Sequence, residues 1–87
     1  MSVILVDLAF EQNVKTSAKT ILVYMAWRAD ETGRCWPSIK ELQRVTRITS
    51  QAVYTAINTL EAAGLITREN RTPNTNLYRL HLSGAAE

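Results

Sequence analysis

The sequence predicts a mainly α domain of the α+β kind, a core of three helices finished by a small β-hairpin. Three observations predict it. Residues 37–66, PSIKELQRVTRITSQAVYTAINTLEAAGLI, carry apolar residues at helical spacing on both sides of Arg47 and Ile48. Residues 17–31 carry another such stripe, and residues 65–82 switch to alternation around a turn-rich loop. At 87 residues and 46% hydrophobic content, the chain is long enough for one domain with one core. Residues 1–13 are expected to form an N-terminal arm and residues 83–87 a frayed tail.

Taken in order, Val3 to Val6 reads as a short strand on β-branching, or as the start of a helix. Leu8-Ala9-Phe10 looks like an apolar helical turn that packs on the body or, alternatively, meets a second subunit. Residues 17–31, SAKTILVYMAWRADE, read as the first long helix, capped by Thr16 or Ser17 and ended near Gly33. Ala18, Ile21, Leu22, Met25, Ala26 and Ala29 form its core stripe. Val23 and Trp27 fall well away from that stripe, with Tyr24 on a third side. A helix that is apolar on two sides needs two coverings. The second is either the segment around Phe10 or a partner chain, which makes Val23, Trp27 and Phe10 the candidate dimer contact. Arg34-Cys35-Trp36 is expected as the first strand, with Cys35 a buried structural thiol and Trp36 a core side chain.

The next two helices have physical starts and stops. Ser38-Ile39-Lys40-Glu41 is a capping box: Ser38 can accept from the Glu41 N–H, and the Glu41 carboxylate can reach back. Pro37 keeps the chain extended on its approach. The helix from Ser38 to about Val45 is expected to bury Ile39, Leu42 and Val45, leaving Lys40 and Arg44 on an outer face. Thr49 is a good N-cap for a further helix, Ser50 to Ala63, stopped by Gly64. Two short helices joined by so tight a turn form a helix-turn-helix, whose second helix can lie in the major groove of DNA. Subtracting the core positions Val53, Ala56, Ile57 and Leu60 leaves Ser50, Gln51, Tyr54, Thr55 and Asn58 outward. Gln and Asn can pair two-pronged with adenine, Ser and Thr serve either base type, and Tyr54 can reach a phosphate or sugar. Any solvated helix shows polar residues to water. Yet no Lys, Arg, Asp or Glu occurs from Ser50 through Leu60, where an ordinary solvated face would carry them.

Leu65 to Asn70 and Asn76 to Leu82 alternate as strands, with Tyr78, Leu80 and Leu82 on one face and Leu77, Arg79 and His81 on the other. Arg71-Thr72-Pro73-Asn74-Thr75 between them is a turn-rich loop. Net charge is +2 and unevenly placed: bases and acids cancel over residues 1–37, while residues 38–87 hold six bases against four acids. A mild excess there suits a phosphate-facing surface. One cysteine permits no intrachain disulfide and fits a reducing, cytoplasmic setting. The longest apolar run, Ile21 to Trp27, is too short to span a bilayer, and Met1 to Val6 lacks the basic start of a signal peptide. There is no glycine-rich phosphate loop, no metal-ligand spacing and no catalytic constellation around the single His81. No cofactor, no membrane partner and no enzymatic activity are expected.

PSIKEL, a turn, a helix of the form xxAVxxAIxxLEAAGLI and then NLYRL resemble the winged helix-turn-helix domains of small bacterial, phage and plasmid DNA-binding regulators. The same domain forms the N-terminal part of many plasmid and phage replication initiators. With DLAFEQNVKTSAKTILVYMAWRADETGRCWPS upstream, the likeness spans residues 7–82. Two positions depart from the family pattern: Arg47 stands in place of the usual turn glycine, and Gln43 in place of a small alanine. A residue other than glycine held left-handed costs of the order of 1 kcal/mol. The resemblance implies a cytoplasmic, nucleoid-associated protein that binds double-stranded DNA through the 50–63 helix. Lys40, Arg44 and Arg47 would lie near phosphates, and a wing carrying Arg68, Arg71 and Arg79 would meet the backbone or minor groove. A homodimer, or adjacent copies on repeated sites, is expected, because one such module has limited specificity. A transcriptional regulator is the leading expectation, since initiators of this kind carry further domains beyond the wing. The alternatives are a replication-initiation or partition factor and, of another class, a winged-helix adaptor that binds protein.

Overall fold

A computed structural model describes residues 3–69 and 77–82. The elements follow the order α1 (Val3–Phe10), α2 (Thr16–Arg28), β1 (Arg34–Cys35), α3 (Ile39–Thr46), α4 (Ser50–Ala62), β2 (Ile66–Arg68) and β3 (Tyr78–Leu80). The strands form one antiparallel sheet in the order β1-β3-β2, with Cys35 opposite Tyr78 and Ile66 opposite Leu80. This is the expected α+β arrangement, a three-helix core of α2, α3 and α4 finished by a hairpin.

The whole stripe of α2 is buried, and it meets Leu42 of α3, the four core residues of α4, and Ile66, Tyr78, Leu80 and Leu82 of the hairpin. No polar or charged residue is buried among the described residues. The core is therefore held by non-directional apolar burial, and its geometry by helix ends. Ser38 accepts from the Glu41 N–H at 3.0 Å. Thr49 accepts from the Ala52 N–H at 3.2 Å. α4 ends in a Schellman arrangement: Leu65 N–H donates to the Leu60 carbonyl, Gly64 N–H donates to Glu61, and Gly64 sits at φ 78°.

Several expectations are corrected. Of the two alternatives for Val3 to Val6, the strand favoured by β-branching gives way to the helix. Val3–Phe10 is a helix that lays Leu5, Val6, Leu8 and Ala9 on the core, with Ala9 fully buried. The i, i+3, i+4 spacing of Leu5, Leu8 and Ala9 prevails over β-branching once α2 offers a surface. Neither Thr16 nor Ser17 caps α2; the N-cap position is Lys15, with no side-chain cap. That helix stops at Arg28 and not near Gly33, because Ala29 turns extended and Asp30 closes a loop. The Asp30 carboxylate accepts from the Thr32 hydroxyl, the Thr32 N–H and the Arg34 N–H. These bonds, the Thr32 hydroxyl first, hold its carboxyl below the usual range.

Trp36 is not a core residue but 57% exposed, and Val45 is 44% exposed. Over Leu42 the half-buried place goes to Thr46, whose hydroxyl donates to the Leu42 carbonyl at 2.6 Å. The second half of the capping box is also absent. Glu41 turns to α2, where its Oε2 accepts from the Tyr24 hydroxyl and the Arg28 guanidinium.

Candidate nucleic-acid interface

The site begins at the turn. Arg47 adopts the left-handed conformation, φ 60° and ψ 28°, and its N–H donates to the Gln43 carbonyl at 2.8 Å. Thr49 follows in extended geometry, φ −63° and ψ 157°. One left-handed residue and one extended cap swing α4 away from α3. Arg47 does this without glycine's freedom, at a strain of roughly 1–2 kcal/mol.

Beyond the turn, α4 has two sides. Val53, Ala56, Ile57 and Leu60 are buried, while Ser50, Gln51, Tyr54, Thr55 and Asn58 are all exposed, as expected. The large Tyr54 stands 51% exposed. The Thr55 hydroxyl donates to the Gln51 carbonyl at 3.0 Å, which fixes its rotamer. Asn58 is engaged from outside its helix: its Oδ1 accepts from Arg68 Nη2 at 2.5 Å.

The cations divide into two groups. Lys40, Arg44 and Arg47 are exposed and make no ion pair among the described residues. Arg68 and Arg79 of the hairpin are paired: Arg68 Nε lies 3.2 Å from Glu61, and Arg79 Nη1 lies 3.7 Å from Glu69. Glu69 also lies 3.5 Å from Arg34. Arg71, the expected tip of the wing, lies outside the described residues. His81, the residue after β3, is exposed, with Nε2 2.6 Å from the Thr67 hydroxyl.

Sequence reasoning missed a cleft of about 380 Å³ beside α4, lined by polar and apolar surface in about equal measure. Lys15, Ser17, Thr49 and Thr59 line it together with Gln51, Thr55 and the alanines Ala18, Ala52 and Ala56. Thr59 could have been found, since it repeats Gln51 and Thr55 at i+4. Lys15 and Ser17 could not, because only the crossing of α2 and α4 brings them there. On the other side of α2, Phe10, Val14, Lys19 and Val23 line a separate groove of about 290 Å³. Phe10 remains 57% exposed above it, and Trp27 is 46% exposed with its ring 5.9 Å from that of Tyr24. Cys35 is buried, and burial pushes its thiol up to about 12, so it stays a neutral core group. No group of side chains that could hold a metal, and no helix long and apolar enough to cross a membrane, occurs among the described residues.

Comparison with curated proteins and with solved structures returns no match. A family model described as a helix-turn-helix domain matches residues 12–66, well over half the chain, from the approach to α2 through the turn and α4 to the start of β2. The left-handed turn at Arg47, the capped helix after it and that match together place this chain in the helix-turn-helix domain family, with the winged fold of a DNA-binding domain.

Proposed function

We propose that the domain is a sequence-specific regulator of transcription that reads double-stranded DNA with α4 in the major groove. The observation that carries this reading is a helix face of five exposed hydrogen-bonding side chains, together with three exposed cations on α3 and the turn that make no ion pair among the described residues. Gln51 supplies two-pronged readout, and Asn58 does so once Arg68 releases its Oδ1, while Ser50 and Thr55 supply single bonds or methyl contact. Lys40, Arg44, Arg47 and Tyr54 contact phosphates and sugars, and fix the register. Arg68, Arg71 and Arg79 flank on the wing, where Arg68 and Arg79 would have to exchange carboxylate partners for phosphates. Pairing of copies through Phe10, Val23 and Trp27 doubles the site read, since one module buries too little DNA for high specificity. Protection of genomic fragments by the purified protein tests the reading. Discrete sites sharing one motif near promoters are expected; sites gathered at a replication origin would instead indicate an initiation or partition factor.

A second reading, an adaptor that binds protein, is favoured by the exposed Trp27 and Trp36, a residue type enriched where proteins meet. Duplex binding measured at two salt concentrations separates the two, because phosphate contacts make affinity fall steeply with salt. Absence of duplex binding at low salt would leave the adaptor.

A further inference from the structure

We propose that the cleft between α2 and α4 is a second seat for the DNA backbone, with Lys15 as its cation. The proposal rests on the reading of α4 as the helix in the major groove. A helix with its side chains is about 10–12 Å across, and the groove is about 12 Å wide. A phosphate rim therefore runs along each flank of the inserted helix. At about 100° per residue, Thr55 and Thr59 lie on the flank toward α2, and Tyr54 and Glu61 on the opposite one. The cleft occupies the first flank, and Gln51 and Thr55 belong both to it and to the readout face.

Its chemistry suits a phosphodiester. Ser17, Thr49 and Thr59 supply hydroxyls that can donate to phosphate oxygens, Lys15 supplies the charge, and no carboxylate lines the cleft. The Lys15 side chain is not spent on holding the fold. It stands at the N-cap of α2 without a side-chain cap and makes no ion pair among the described residues. A strand seated here passes directly beside the bases within reach of Gln51. Lys15 thereby sets how deeply α4 enters and carries no sequence preference of its own.

Salt titrations of binding to several duplexes, with the wild type, Lys15→Ala and Lys15→Arg, test this. Lys15→Ala is expected to weaken every duplex about equally and to reduce the slope of log affinity against log salt by about 1. Lys15→Arg is expected to restore that slope. A wild type that binds duplex while Lys15→Ala keeps the full slope overturns the cleft alone and leaves the regulator reading standing. Loss confined to one base position also overturns it, since that is readout and not seating. A wild type that binds no duplex at low salt overturns both.

Discussion

The turn region and the hairpin both carry arginine, but they hold it differently. Lys40 and Arg44 on α3 and Arg47 at the turn stand exposed with no ion pair among the described residues, whereas Arg68 and Arg79 already lie against Glu61 and Glu69. A phosphate approaching the turn gains its full attraction at once. At the hairpin it must first displace a carboxylate, and the gain is only the difference between two partners. Counting bases on a wing therefore overstates its pull on DNA. On the proposed reading, the electrostatic weight of the interface would lie on α3 and the turn.

The strongest change should come from the turn itself. Replacing Lys40, Arg44 and Arg47 together by Ala is expected to flatten the salt dependence by about 0.9 for each phosphate left without its cation. Replacing Arg68 and Arg79 is expected to change it less, and the reverse order in parallel titrations would overturn that weighting. Next comes Gln51→Ala, which is expected to relax preference at one base position by ~1–3 kcal/mol. Equal weakening on all sequences would count against readout by this side chain.

Arg47→Gly separates strain from charge. Glycine tolerates the left-handed turn, so the unfolding free energy is expected to rise by up to about 1 kcal/mol, partly offset by glycine's freedom in the unfolded chain. Duplex affinity is expected to fall in the same variant. A subtler change approaches the contrast from the hairpin side: Glu69→Gln should free Arg34 and Arg79, tighten binding to any duplex slightly and steepen its salt slope. An unchanged slope would mean that the hairpin arginines never face the backbone.

Much of the fold is legible in the sequence because it is local. The stripe of α2, the four core residues of α4, the caps Ser38 and Thr49 and the stop at Gly64 follow from spacing and backbone preference within a few residues. The exposed face of α4 is legible by subtraction from that core. Exposure of Trp36 and Val45 is not, because periodicity says which side of a segment is apolar and not how far the neighbouring element reaches to cover it. The diversion of Glu41 to Tyr24 and Arg28 is equally hidden. A cap partner three residues away competes with partners 17 and 13 residues away, and only the packing of α3 on α2 decides the contest.

Neighbours along the chain suffice to dictate a helix, a sharp turn and a second helix with one oily and one hydrogen-bonding side. Tertiary structure alone decided between helix and strand for Val3 to Val6, that Lys15 faces the same cleft as Gln51, and which arginines keep a carboxylate partner. Those outcomes are set by distances between elements far apart in sequence, and no local preference encodes such distances.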